Sequence, residues 1–459
     1  MAKFAIKKNK TILVSLFAVI VLTQILIMNF VELSYDEAYY WVYSQFLDFG
    51  YYDHPPMVAI SIFLGTKIFG TTEFGVRLFS LIYFIGTITY LFKIIRPKSV
   101  ESMIVLGAMP LVFLNSLVAI PDAPLMFFSA MFFYQLKRYI ENETFKNSIF
   151  LALSIVLMFY SKYHGLLIVL LSVLAYPKFV KKWSFWMIVS IVIALYLPHV
   201  YWQYKHDFIS LEFHLFKRVE KHFDIANIFN YVGSQIILMG TGLVFIHWKA
   251  YRKIESDPFR KIMKYNSYYF LLFLFFMSFR NQIEANWTIS CSLAFIIYIY
   301  PFYEKNEKKV LKYASINFFI MSSLIMFLLM VTQFKSDEKY GRLNEILGWK
   351  EGITDSIKDK CSGYKIVGDN YQITSKFSFY TKKIIPALHL GSRDSHFSIL
   401  NLEKEIKANE EICYLTSKNL TNAVKIDTNY KDPIFILVPT TLEKLAERYG
   451  TTYEEIIRK

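Results

Sequence analysis

Residues 34 to 57 read SYDEAYYWVYSQFLDFGYYDHPPM and gather Asp36, Glu37, Asp48, Asp53 and His54 among aromatic rings. Carboxylates and an imidazole in such a cluster are equipped for acid–base chemistry. The stretch follows directly on TILVSLFAVIVLTQILIMNFV, a run long and apolar enough to cross a bilayer. Asp36 therefore sits at the mouth of a span, where an ionised side chain is costly unless it has a partner or a task. The plainer reading of Asp36 is an acid favoured by a helix dipole. Ser34 and Glu37 have the S-x-x-E spacing of a capping box, which predicts a helix from here to about Leu47 and gives Glu37 a local capping role. Tyr39, Tyr43, Phe46 and Leu47 would form its apolar side, lying along the membrane interface. Pro55 and Pro56 stop any helix and hold Asp53 and His54 on a stiff turn. The next segment, MVAISIFLGTKIFG, is too short to span and reads as a second interfacial helix.

The elements that must position these residues are membrane helices. The chain has 459 residues, is 54% hydrophobic and 18% aromatic, and has a mean hydropathy of +0.33, more apolar than a soluble core of that size requires. Spans of roughly 17 to 25 apolar residues are expected near 12 to 31, 74 to 93, 101 to 119, 123 to 140, 147 to 162, 164 to 177, 184 to 203, 229 to 248, 265 to 281, 286 to 303 and 311 to 333. The fold class is an α-helical polytopic membrane protein of about 11 to 13 transmembrane helices, with a C-terminal α/β soluble domain. The formal charge of +14 does not indicate nucleic acid. Its basic residues fall mostly in alternate short links such as FKIIRPKS, PKFVKKW and EKNEKKVLK, where the positive-inside rule expects them. The opening MAKFAIKKNK precedes a span too long for a signal-peptide core and lacks a small-residue cleavage site, as in an uncleaved anchor.

With the amino terminus in the cytoplasm, the other links face outward. They carry residues 36 to 56, AIPDAP with Asp122, YSKYHG with Lys162, QYKHDFISLEFHLFKRVEKHF with His214, Arg218 and His222, and RNQIEANW with Arg280 and Glu284. Nearly every acid, histidine and isolated charge near membrane depth thus falls on one side. After Phe334 the pattern changes to alternating strands and amphipathic helices, so residues 1–334 read as a transmembrane domain and 335–459 as an extracytoplasmic domain. Cys361 and Cys413 lie in that domain, where oxidising conditions permit a disulfide, and Cys291 lies in a span.

The ordered set YDEAYYWVYSQFLDFGYYDHPPM…LGTKIFGTTEFGVRL, AIPDAPLMFF and YSKYHGLLIVL resembles the bacterial polyprenyl-phosphate-sugar glycosyltransferases of the GT-C fold. These are relatives of the protein O-mannosyltransferases and of the aminoarabinose transferase that modifies lipid A. The resemblance covers the first half of the chain and continues beyond it only as architecture. It implies that Asp36 is the catalytic base or acceptor-positioning carboxylate, with Glu37 beside it. A sugar on a lipid phosphate already has a good leaving group, so one base and one cation suffice. The resemblance places Asp53 where some relatives share a divalent metal with a later histidine, here His214 or His222; carboxylate plus imidazole suits a zinc-like or manganese-like ion. The alternative is that Asp53 and His54 bond each other or the loop backbone. His54 stands where lipid A-modifying relatives carry lysine. Lys162, with Arg218 and Arg280 behind it, is the better donor-phosphate partner, snorkelling being its plainer role. Asp122 and Glu284 are expected to support the site, and Trp287 fits either a sugar contact or interfacial anchoring.

The expected protein is thus an inverting membrane glycosyltransferase of the cytoplasmic membrane. Its donor is a polyprenyl (undecaprenyl) phosphate sugar and its acceptor a lipid A, glycan or protein, with membrane lipids around it and no nucleic acid as partner. The rival is a transporter or flippase, whose ionisable residues should line a midplane route in repeated halves; this chain clusters them at one face and shows no repeat.

Overall fold

A computed structural model of the chain describes residues 2–97, 117–217, 223–238, 244–304, 346, 348–390, 392–426 and 434–458. Among the described residues, the longer helices of the first three hundred residues are α1 Ala2–Phe30, α2 Tyr35–Gln45, α3 Met57–Phe69, α4 Glu73–Ile95, α5 Asp122–Glu141, α6 Phe145–Ser161, α7 His164–Ala175, α8 Trp183–Lys205, α9 Ile225–Leu238, α10 Val244–Arg252, α11 Pro258–Lys264, α12 Phe270–Met277 and α13 Ile289–Glu304. A π-turn, Tyr265–Tyr269, joins α11 to α12. Helices lie where the apolar runs place them, with two differences. The run near 229 to 248 is covered by α9 and α10 with residues 239–243 between them outside the described residues, and the one near 265 to 281 begins earlier, because Asp257 caps α11 by accepting from the Arg260 N–H and Pro258 supplies a helix-compatible first residue. The expected span near 101 to 119 lies almost wholly, and that near 311 to 333 wholly, outside the described residues. Among the described residues, α4 and α8 are each long and apolar enough to cross a membrane by themselves. The segment Phe17–Phe30 with α2 passes the same test only as a pair, bent by 83°.

The chain divides into two compact units: Met1–Leu26, His54–Val58 and Leu78–Leu324 in the first, and Ile27–Asp53, Ala59–Arg77 and Ile325–Lys459 in the second. In the first, α5 packs antiparallel on α6, α6 on α8, and α13 on α5 and the α11–α12 segment. The inward faces of this unit's helices form one core, from Phe84 and Phe133 through Met158 to Phe270 and Phe295, while apolar side chains such as Leu166, Leu170, Ile193 and Leu197 remain exposed on the other faces. Gly86 of α4 allows the approach of α5, since a Cβ there would lie 2.3 Å from the Phe127 ring.

In the second unit a four-stranded sheet has the order β1-β2-β4-β3, with β1 Lys365–Gly368, β2 Ile412–Thr416, β3 Val424–Lys425 and β4 Phe435–Thr440. β1 and β2 are parallel and the other pairs antiparallel. α14 Thr354–Lys360 leads to Cys361, which forms a disulfide with Cys413 of β2. α15 Tyr371–Thr381 follows β1, capped by Asn370, and packs along α2. The second unit thus joins the C-terminal stretch to the acid-bearing segment after α1.

Candidate functional site

The acid pair is sorted by the turn at 31–34 between α1 and α2. Ser34 caps α2: its Oγ accepts the Glu37 N–H at 3.3 Å, and Glu37 Oε2 accepts the Ser34 N–H at 2.9 Å. The predicted box is present, and the helix ends at Gln45, two residues short of Leu47. Arg77 then closes on the same carboxylate, donating to Glu37 Oε1 at 2.6 Å and Oε2 at 2.7 Å. Its other N–H groups go to the carbonyls of Met28 at 3.1 Å, Val31 at 2.6 Å and Glu32 at 2.9 Å, acceptors that the end of α1 leaves over. Lys376 of α15, fully buried, donates to the Leu33 carbonyl and lies 5.4 to 5.9 Å from the rings of Tyr35, Trp349 and Tyr380. Glu32 accepts the backbone N–H groups of Trp349 at 2.9 Å and Lys350 at 3.0 Å. The result is a rigid platform on which Glu37 is 0% exposed and its neighbour Asp36 is exposed. Glu37 is an anchor of this platform, and Asp36 is the member of the pair that reaches the surface.

The expected apolar side of α2 is covered by protein. Tyr39 and Tyr43 are buried, Tyr39 against Tyr371 at 4.6 Å and Tyr43 stacked on Tyr51 at 4.2 Å, whereas Phe46 and Leu47 are exposed. Asp53, 5% exposed, accepts from the Tyr43 hydroxyl, and its other oxygen is 3.6 Å from Arg393 Nη2. The Arg393 guanidinium lies over the Tyr371 ring at 4.8 Å, and the Tyr371 hydroxyl donates to Asp36 Oδ1 at 3.4 Å. Both carboxylates singled out in the sequence therefore belong to one chain of contacts: Asp53, Arg393, Tyr371, Asp36. Burial, with the nearby Asp36 carboxylate, pushes the Tyr371 hydroxyl well above its ordinary pKa, so it remains a neutral donor. Burial opposes the charge on Arg393, but Asp53 outweighs it, and the guanidinium is held above its ordinary value.

In the first unit, Lys162 follows the last turn of α6 and places its ammonium 2.8 Å from both oxygens of Asp122, at the start of α5. Asn286 donates to Asp122 Oδ2 at 2.8 Å. Asp122 is thus held between Lys162 and Asn286. His54 faces His214 with ring centroids 6.0 Å apart, and His214 faces Tyr163 at 5.5 Å. Tyr163 is within 3.3 Å of His199 Nε2 and accepts from Gln203 at 2.7 Å. Trp287 packs on His164 at 5.2 Å, Glu284 is half-buried, and Arg280 is exposed beyond α12. Arg218 and His222 lie outside the described residues. Among the described residues no three histidine, cysteine, aspartate or glutamate side chains converge as metal ligands. Asp53 has a phenol and a guanidinium on its oxygens, so these residues do not fit the ion considered for it. Arg77, Tyr371, Lys376, Arg393 and Asn286 were not singled out in the sequence. Arg77 and Asn286 stand in segments that were, VRL and EANW, but nothing local marked the residues themselves.

Residues 53–202 match the sequence family described as dolichyl-phosphate-mannose-protein mannosyltransferase. The lipid A galacturonosyltransferase RgtD of Rhizobium johnstonii is 26% identical over 294 residues, which cover 60% of this chain. The chain spans 61% of the length of that relative. The crystal structure of ArnT from Cupriavidus metallidurans in the apo state superposes with a TM-score of 0.66 at 11% identity, covering 94% of this chain and 98% of that one. The structure of the same protein bound to undecaprenyl phosphate gives 0.65 at 12% identity, covering 92% and 97%. At these identities the likeness is one of fold, and the fold is that of an integral membrane protein. The sequence and fold comparisons agree with the resemblance carried by the acid-rich segment: this chain is similar to membrane glycosyltransferases of the GT-C fold.

Proposed function

We propose that the protein is an inverting glycosyltransferase of the cytoplasmic membrane. It takes a sugar from a polyprenyl phosphate, undecaprenyl phosphate in the bacterial case, and passes it to an acceptor at the outer leaflet, with lipid A the first acceptor to test. The observation that carries this reading is the division of labour in the acid pair: Glu37 is buried and bound to Arg77, while Asp36 stands exposed on the platform that Glu37 anchors. Asp36 accepts the proton of the acceptor hydroxyl as that oxygen attacks the anomeric carbon. The bond from that carbon to the phosphate oxygen breaks, and polyprenyl phosphate departs with the electron pair. Backside displacement inverts the anomeric centre. No nucleophile on the enzyme is required, because the donor carries its own leaving group. Lys162 is the proposed phosphate contact in the first unit, its ammonium pre-oriented by Asp122. The relatives named above support the donor and acceptor classes: one is named for lipid A, and another has been crystallised with undecaprenyl phosphate.

The test is Asp36→Asn in the full-length protein reconstituted in nanodiscs. Abolished transfer from an undecaprenyl-phosphate sugar, with unchanged thermal unfolding and donor binding, is expected. Unchanged transfer removes Asp36 from the mechanism, and transport of the donor without transfer makes the protein a flippase. Mass spectrometry of envelope lipids and glycans from cells with and without the protein identifies the sugar and the acceptor.

A further inference from the structure

The loop at 389–396 is constructed around one side chain. It follows the segment after α15 that runs beside the carboxyl end of β1, where Gly368 bridges Ala387 in parallel and the His389 N–H donates to the Asp369 carbonyl at 2.9 Å. His389 sits at φ +53°, a backbone conformation that non-glycine residues seldom adopt. Its buried imidazole meets Ser395 Oγ at 3.0 Å through Nε2 and Ser392 Oγ at 3.5 Å through Nδ1. Ser392 also donates to the Asp369 carbonyl at 3.3 Å, and the next backbone N–H after Ser395, that of His396, donates to the Tyr39 hydroxyl of α2 at 2.6 Å. One imidazole thus grips the loop on both sides of Arg393. Tyr371 leaves the same end of β1 as the first residue of α15. The carboxyl ends of parallel strands are where α/β sheets present ligand-contacting residues.

We infer that Tyr371 and Arg393 are positioning residues of the transferase: the C-terminal stretch supplies them to Asp36, so that the catalytic base is functional only when this loop is in place. The inference rests on the reading of Asp36 as the base. Tyr371 donates to Asp36 Oδ1 at 3.4 Å and so fixes the carboxylate that is to take the acceptor proton. Arg393 stacks on the Tyr371 ring and ties it to Asp53, which Tyr43 fixes in turn. The charged and titratable groups acting on Asp36 and its partners are Tyr40 and Tyr39 on α2, Tyr371 on α15, Asp53 and Arg393. Tyr40 is neutral and buried, and Asp53 is neutralised by Arg393. Tyr371 and Arg393 are the donor and cation that the experiment removes.

The experiment measures the pH dependence of kcat and KM for Tyr371→Phe, Arg393→Gln and Arg393→Lys in nanodiscs, with Asp36→Asn alongside. Removing a donor or a cation near a carboxylate favours its protonated form. Tyr371→Phe and Arg393→Gln are therefore expected to move the acid limb of the kcat profile to higher pH and to lower kcat by roughly tenfold to a hundredfold, with donor KM unchanged. Arg393→Lys keeps the charge and is expected to keep the limb while losing part of kcat. A purely structural role would change protein yield or thermal unfolding without moving the limb. If Arg393→Gln fails to fold, Tyr371→Phe, which retains the ring and its packing, decides alone. Wild-type kcat and limb in the variants, with Asp36→Asn inactive, overturn the inference and leave the reading of Asp36 standing. Transfer by Asp36→Asn removes both.

Discussion

Adjacent acids with opposite duties make a prediction that separates stability from chemistry. Glu37→Gln keeps the size of the side chain and one acceptor oxygen, but it removes the charge that faces Arg77. The guanidinium then remains 2% exposed, with hydrogen bonds to three carbonyls and Glu73 as a nearby carboxylate, but without its ion-pair partner Glu37. Breaking a buried pair from one side costs about 3 to 5 kcal/mol. The lost charge-assisted bonds at 2.6 and 2.7 Å are part of that cost. An unfolding entropy of about 2 cal/mol/K per residue converts it to a fall in Tm of about 3 to 5 °C if the whole chain unfolds together, and more if the second unit unfolds alone. The assay is intrinsic-fluorescence unfolding in nanodiscs paired with transfer at a temperature where the variant is folded. Expected are a lowered Tm and near wild-type kcat for Glu37→Gln, and the reverse for Asp36→Asn. Wild-type unfolding with abolished transfer in Glu37→Gln would refute the reasoning. Glu37 would then be a member of the catalytic machinery despite its burial.

Three further outcomes follow from the second unit. A Cβ at Gly368 would fall 1.9 Å from Thr374 Oγ1 and 3.0 Å from its Cβ, so Gly368→Ala must push α15, and Tyr371 with it. A displacement on the order of 1 Å is expected to lower kcat by up to about a hundredfold, and wild-type kcat would disconnect α15 from the chemistry. The disulfide spans 52 residues, and removing its loop constraint by Cys361→Ser with Cys413→Ser is expected to cost up to about 4 kcal/mol. Unfolding that is indifferent to reductant would contradict this. Because Asp53 is engaged by Tyr43 and Arg393, transfer is expected to survive EDTA. Loss on chelation, restored by added zinc or manganese, would return Asp53 to the metal-ligand role.

The helices could be read from sequence because a bilayer demands long apolar runs, and such runs need no knowledge of partners. What covers an apolar face is a different matter. Tyr39 and Tyr43 would be equally at home against headgroups or against protein, and only the fold shows Tyr371 and Tyr51 occupying those contacts. The residues that complete the platform were illegible for a related reason. Arg77, Lys376 and Arg393 are isolated cations without a periodic pattern, and their value lies in acceptors remote in sequence: Lys376 serves Leu33, and Arg393 serves Asp53. An isolated Lys or Arg outside a motif is read as solvated unless its partner is known.

The assignment within the acid pair is the instructive case, because the sequence held more than the resemblance drew from it. A capping box turns the third residue of the helix back towards its cap. Once Ser34 is the cap, Glu37 is that residue, and its carboxylate is already committed to the Ser34 N–H. Asp36 stands one residue earlier, about 100° around the helix, and so faces a different way. Local geometry alone separates a buried, anchoring acid from one at the surface, and Arg77 reinforces the separation by taking both oxygens of the acid that had already turned inward. A pair of catalytic carboxylates and a capping box compete for the same Glu37, and at 0% exposure the box has prevailed. The proposed proton transfer is therefore assigned to Asp36 rather than Glu37, and the tyrosine partner of Asp36 comes from a segment more than three hundred residues away.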